Sequence, residues 1–260
     1  MTTQTQLITT RGLVINERSV GENDKYIELL TEDLGVIDVS VKGVKKITSK
    51  NAASSQLFSY SKFCLSKRGE RFYINSSENI SVFYEIRLSV EKLSLATYFS
   101  EIVKYALPKD LPCSEVLRLF LNTLYYLCND KLDMSILKSI FELRLLTEIG
   151  LMPQLIGCRE CICFENEHMF FDYKNSNLIC KECIEKLGIS VDSLEELHPA
   201  VLKSIRHICL SDFEKIYSFS LTDTYIPLLS HFSEKYLVNQ LGKSFKTLKF
   251  YKNIIGGING

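Results

Sequence analysis

Cys158 and Cys161 form one CxxC pair in this chain, and Cys180 and Cys183 form another, with eighteen residues between the pairs. A two-residue gap lets both thiolates of a knuckle point at one ion, and this separation is within the range of paired-knuckle zinc sites. Four thiolates fill a tetrahedral shell. The expected chemistry is therefore one structural Zn2+, because a catalytic zinc keeps a position open for water. The competing reading is four unliganded or redox-active thiols. Cys163 is a fifth thiol in reach and reads as a bystander, and His168, between the pairs, reads as solvent-facing. A nucleobase deaminase needs an HxE ahead of its cysteines, and none precedes this cluster.

No other pattern supplies an active site. The chain has no Walker A motif and no G-x-S-x-G, and the terminal "GGING" lacks the strand–helix context of a phosphate loop. Its four histidines are scattered, and "TED" and "LEEL" read as a solvated turn and helix face. The leading class is a binding protein, not an enzyme.

The elements that must position the cysteines follow from periodicity. Up to about residue 80, "GLVIN", "YIELL", "VIDVSV", "FSYSKFCLS" and "RFYINS" are short, rich in β-branched and aromatic residues, and separated by turn-forming "VGEND", "TEDLG" and "KRGE". Five strands with a long polar loop after the third suit a closed barrel of the OB type, with an SH3-like barrel as competitor. From about Phe83 the period is helical. One stripe holds Ile86, Val90, Leu93, Ala96, Phe99 and Val103; a second helix has Ser114 as its expected N-cap. A third, from about Asp133 to Glu148, is apolar nearly all round and reads as central to a bundle. "MFFDYKNSNLI" is expected to form a hairpin between the knuckles. Pro199 opens a helix, another runs from about Tyr225 to Leu241 with Gly242 as its C-cap, and "IGGING" reads as frayed. The expected architecture is α+β and multidomain: a barrel over 1–80, a helical domain over 81–260, and a zinc finger over 155–188 inserted in it.

Composition is that of an ordinary globular chain, 46% hydrophobic and 24% charged. No apolar run approaches the ~20 residues that span a bilayer, and the N-terminus does not read as a signal peptide. A reducing cytoplasm fits nine cysteines used as ligands and buried thiols. Lys+Arg equals Asp+Glu at 31, yet the charge is segregated. Residues 42–71 carry eight cations against Glu70 alone, and residues 235–260 carry five lysines and no acid. A local field of this kind, with Tyr26, Phe58, Tyr60, Phe63, Phe72 and Tyr73 nearby, points to nucleic acid. The expected phosphate contacts are Lys42, Lys45, Lys46, Lys50, Lys67, Arg68 and Arg71, with Arg11 and Arg18 extending the track. The basic C-terminus is a second candidate track. The alternatives are a solubilising face, or a zinc-ribbon accessory factor that binds RNA or RNA polymerase.

The stretches "RGLVINERSVGENDKYIELLTEDLGVIDVSVKGVKK", "FSYSKFCLSKRGERFYINSSENI", "FYEIRLSVEKLSLATYFSE" and "IFELRLLTEIGLMPQLIGC", followed by the paired CxxC, resemble the RecO recombination-mediator family in their order along nearly the whole chain. That resemblance implies an OB domain, a helical domain and an inserted zinc finger. It implies binding to single- and double-stranded DNA and annealing without ATP. It implies partnership with RecR and with the acidic C-terminal tail of single-stranded-DNA-binding protein, loading of RecA as the outcome, and a nucleoid-associated cytoplasmic location. Two departures stand out. Lys42-Gly-Val-Lys-Lys46 replaces an arginine-rich run, which keeps the charge but loses the bidentate fork; Gln56-Leu57-Phe58 replaces a QPF.

Overall fold

A 15-residue first strand, β1 (Gln6–Val20), organises the barrel by pairing with two partners in turn. Its first half pairs with β4 (Ser59–Arg68) and its second half with β2 (Asp24–Thr31), both antiparallel. A bulge between Val14 and Asn16 supplies the bend such a strand needs to wrap a barrel. The computed structural model of the chain describes residues 6–46, 49–108 and 111–258. β3 (Val36–Val41) and β5 (Arg71–Val82) complete the set, and the strands close in the order β1-β2-β3-β5-β4. The closing β3–β5 contact is parallel, the rest antiparallel. The expected five-stranded barrel is therefore present, with strands longer than the sequence pattern indicated: β1 and β5 continue past their apolar centres as polar arms.

Alternate residues fill the interior: Val14, Ile27, Leu29, Val39, Val41, Phe63, Leu65 and Phe72 are all buried. The pleat puts their neighbours outside. Contact density groups the chain into two units, Met1–Lys131 with Phe245–Gly260, and Leu132–Ser244. The first unit adds α1 (Val90–Ala106), α2 (Ser114–Cys128) and α7 (Lys246–Ile258) to the barrel. Tyr98 of α1 meets Phe245 edge-on at 6.1 Å, and Phe99 meets Phe120 of α2 at 6.2 Å.

Three local expectations are corrected. Ser89 caps α1 by accepting from Lys92 N at 3.2 Å, so Ile86 lies in the preceding 3-10 turn and Val90 is exposed. Cys113, not Ser114, is the N-cap of α2, and it makes no side-chain capping bond; its backbone N–H instead donates to Glu32 O at 3.0 Å. The C-terminal "IGGI" is the last turn of α7 rather than a frayed tail, while the final two residues lie outside the described ones.

The second unit contains α3 (Met134–Glu148), α5 (Pro199–Leu210), α6 (Ile226–Leu241) and a small sheet. Asp133 caps α3, Pro199 stands at the start of α5, and Gly242 ends α6 in the left-handed region. The sheet runs β6 (Gln154–Cys158), β8 (Asn177–Cys180), β7 (Met169–Asp172), β9 (Leu194–Leu197), and the expected hairpin is β7–β8. Phe171 of β7 packs edge-on against Phe232 at 4.9 Å and Tyr236 at 5.6 Å, which anchors the finger on α6. α3 is less apolar than its pattern indicated. Lys138 and Glu142 are almost fully buried and bond each other at 3.1 Å. Among the described residues no helix is long and apolar enough to cross a membrane.

Candidate metal centre and nucleic-acid interface

The first knuckle is built by backbone bonds around Cys158. Its N–H donates to Cys163 O at 3.0 Å, its carbonyl accepts from Ile162 N at 2.8 Å, and its Sγ accepts from Glu160 N and Cys180 N, each at 3.4 Å. Gly157 makes this turn possible. A Cβ there would stand 2.7 Å from Ile162 O and 2.8 Å from Cys163 O. The second knuckle joins β8 to α4 (Lys181–Leu187): Cys180 ends the strand and Cys183 sits in the first helical turn. Arg159 ties the two halves by donating to Asp172 at 2.8 Å and Asn177 at 3.2 Å. Burial opposes ionisation of Asp172, yet donors on Asn175 and Arg159 hold its carboxyl below the usual range.

The four predicted cysteines come together, with ligand atoms all within 4.8 Å of one another. Cys158, Cys180 and Cys183 are buried and Cys161 is exposed. The Cys161 and Cys180 sulfurs are 3.7 Å apart, and a tetrahedral shell with zinc–sulfur bonds of ~2.3 Å has an edge of ~3.8 Å. The cluster's protonation also fits a cation. The Cys163 N–H, with the Cys163 and Cys183 thiols, lowers Cys161 to about 6. Burial resists ionisation of Cys158, but the N–H groups of Cys161, Cys180 and Glu160 outweigh it and lower the thiol. Burial pushes Cys180 and Cys183 the other way. Four thiolates this close repel one another, so a divalent ion is what would deprotonate the second pair. The residues therefore fit one metal ion.

Cys163 lies outside the four-ligand group, and burial pushes its thiol up to about 12. His168 Nδ1 is 2.6 Å from Glu196 rather than turned toward the cysteines. Three thiols outside the finger are held in the protonated form. Burial raises Cys113 and Cys128 to about 11 and Cys209 to about 12.

The basic residues gather at one end of the barrel. The β1–β2 turn, the start of the β3–β4 loop and the β4–β5 turn meet there. Gly43 N donates to Asp24 Oδ1 at 2.8 Å and Lys45 N to Asn23 O at 3.1 Å, which fixes Lys42, Lys45 and Lys46 beside the first turn. The tight turn after Arg68 uses Gly69 at φ +60° and brings Lys67, Arg68 and Arg71 to the same rim.

Register then sorts the aromatics, which the sequence left open. Arg18 pairs with Tyr26, Tyr26 with Ser40, and Ser40 with Tyr73, so these four form one row on the outer face. Both tyrosines are half-buried, with cations over their rings: Arg18 at 5.1 Å from the Tyr26 centroid, and Lys42 at 5.8 Å and Arg68 at 5.7 Å from Tyr73. Phe58, Phe63 and Phe72 belong to the core. A cleft of about 290 Å³ opens on this row between Arg18, Tyr26 and Arg71, and Asp38 and Glu70 share its lining.

Two expected contacts lie elsewhere. Arg11 is midway along β1, paired with Lys62 of β4, 3.7 Å from Glu32 and about 23 Å from Arg18 at strand rise. Lys50 neighbours Asn51, which accepts from Ser77 midway along β5. Tyr60 contacts the same Glu32 at 3.5 Å.

The chain matches two family models, one after the other. The model for the N terminal of recombination protein O covers residues 4–83, and that for its C terminal covers 87–249. It is 30% identical to DNA repair protein RecO of Acetivibrio thermocellus, covering 94% of this chain and 96% of that one. Identity is again 30% to the protein of that name from Caldicellulosiruptor bescii, over 96% and 99% of the two chains. It is 28% to that of Alkaliphilus metalliredigens, over 95% and 100%. With the closed barrel, the four-cysteine cluster and these matches in agreement, the chain belongs to the RecO family of DNA repair proteins.

Proposed function

We propose that this chain is a non-enzymatic recombination mediator. It binds single- and double-stranded DNA at the barrel rim, anneals complementary strands without ATP and, with RecR, helps load RecA onto DNA coated by single-stranded-DNA-binding protein. The observation that carries the reading is the outer row of Tyr26 and Tyr73, each with cations over its ring, framed by Lys42, Lys45, Lys46, Arg68 and Arg71. Partly exposed rings stack bases while flanking cations take phosphates, a combination suited to single strands and tolerant of sequence. Neutralising phosphates lowers the repulsion between two strands, so annealing needs no nucleotide hydrolysis. Arg11 and Lys50, away from the rim, would extend contact to a longer strand or duplex.

The metal in this reading is one structural Zn2+ on Cys158, Cys161, Cys180 and Cys183, which closes the finger and leaves no position for water. For the acidic tail of single-stranded-DNA-binding protein, the second unit offers a groove of about 850 Å³ in which Lys203 and Arg206 adjoin Leu202 and Leu210, with Glu165 and Glu167 also in the lining. The test is annealing of two labelled complementary oligonucleotides without ATP, bare and coated with that protein. Acceleration on both supports the mediator reading. No acceleration on either, at low salt, excludes it, and preference for RNA over DNA would favour the accessory-factor alternative.

A further inference from the structure

The last helix carries a face that the barrel reading does not use. On α7, Phe245 just before it, Leu248 and Tyr251 are buried, and Lys246, Lys249, Phe250 and Asn253 are exposed. Those four recur at i, i+3, i+4 and i+7, so they form one stripe about 10 Å long. Phe250 is 55% exposed, one turn after Lys246 and next to Lys249. Among the described residues neither Lys246 nor Lys249 has an ion-pair partner.

Three acids near the start of α7 have internal partners. Glu101 accepts from Thr247 N at 3.2 Å and from its Oγ1 at 2.6 Å, which satisfies the start of α7. Glu28 pairs with Lys104, and Glu17 with Lys25 at 3.0 Å. Glu28, Asn16 and Thr247 line one small cleft, so α7 begins beside the mid-portions of β1 and β2. The Arg18–Tyr26 end of the aromatic row lies two residues further along the same two strands. Lys246 and Lys249 are thus unpaired cations beside the exposed Phe250, on a helix that begins next to the strands carrying the Arg18–Tyr26 pair.

We infer that this α7 stripe is a second single-strand track, holding one strand by phosphate contacts at Lys246 and Lys249 and a base on Phe250 while the barrel rim holds another. The inference rests on the barrel reading for its first strand. It supplies what annealing needs beyond charge neutralisation, namely two strands on one protein at one time. An exposed apolar ring adjoining two unpaired lysines suits a base and its phosphates better than it suits a solubilising face.

The experiment uses two non-complementary oligonucleotides with different dyes, read by two-colour cross-correlation on the full chain. The wild type should carry both strands at once. Lys246→Glu with Lys249→Glu, and separately Lys246→Gln with Lys249→Gln, should leave the first strand bound within about twofold, abolish co-occupancy and slow annealing about tenfold, the order expected for two lost phosphate contacts. Phe250→Ala should weaken the second strand alone. All three changes are at exposed positions, and a thermal melt checks folding. Retained co-occupancy in these variants overturns the inference. A wild type that carries one strand overturns it while sparing the barrel reading, and a wild type that carries none removes both. Loss of a poly-glutamate peptide instead of the second strand assigns the stripe to an acidic partner and also overturns it.

Discussion

Cys161 Sγ and Cys180 Sγ lie 3.7 Å apart although they belong to different knuckles, one at the end of β6 and one at the start of α4. That closeness leaves a metal-free finger with repelling thiolates or trapped protons. The purified chain should therefore contain one zinc per molecule. A cobalt-exchanged sample should show the intense visible bands of tetrahedral thiolate coordination. Cys180→Ser should lose stoichiometric metal and expose the β7–β8 hairpin to protease. Full retention of metal by that variant would show that Cys163 had taken its place.

The knuckle makes a sharper test than its ligands do. Gly157 has no metal-binding atom, yet a methyl there collides with two backbone carbonyls, Ile162 O and Cys163 O. Backbone cannot give way as a flexible side chain would. Gly157→Ala should weaken zinc affinity in chelator competition about 10- to 100-fold, in the range expected when the bonds that orient the ligands are lost. DNA affinity at the barrel should be unchanged. Equal affinity in mutant and wild type would mean that the knuckle is more plastic than its bond pattern implies.

Stacking and charge at the rim separate by salt. Tyr73→Ala removes a ring with two cations over it and should cost about 1–3 kcal/mol of single-strand binding with the salt slope kept. Lys45→Glu with Lys46→Glu should instead flatten the slope by about 0.7 for each lost phosphate contact. Fluorescence anisotropy over a salt series reads both. If Tyr73→Ala flattens the slope instead, its ring acts only by holding Lys42 and Arg68 in place.

What could be read in advance was what repeats or has fixed spacing. The CxxC pairs, the alternation of Tyr26 to Leu30 and the C-capping Gly242 all declare themselves locally. Tyr73 did not, because whether a strand residue faces in or out depends on partners over thirty residues away, here through Ser40. The helix α7 was missed because its glycines and short apolar stripe resemble a tail, and packing of Leu248 and Tyr251 overrides that weak propensity. Arg11 looked like its fellow cations in sequence, but it lies midway along a 15-residue strand, beside Lys62 and Glu32 rather than at the rim. Lys138 and Glu142 were hidden by an apolar surround. Their i,i+4 spacing is the one signal that could have exposed them, and on most helices that spacing marks a solvated pair.

That buried pair gives the clearest stability prediction. Lys138 is 2% exposed at its side chain and Glu142 is 0%, and α6 completes the network. Ser233 Oγ donates to Glu142 at 2.6 Å, while Lys138 Nζ donates to Ser230 O at 3.2 Å and lies 3.4 Å from Glu234. Two desolvated charges are a poor source of net stability, but removing one strands the other. Lys138→Met should destabilise the second unit by about 3–5 kcal/mol, whereas Lys138→Met with Glu142→Leu should recover most of that loss. Urea unfolding of the two variants decides it, with cross-correlated DNA binding as the control that the first unit is intact. A double variant no more stable than the single one would mean that the pair sets the α3–α6 register, since an apolar replacement keeps the volume but not the directional bonds.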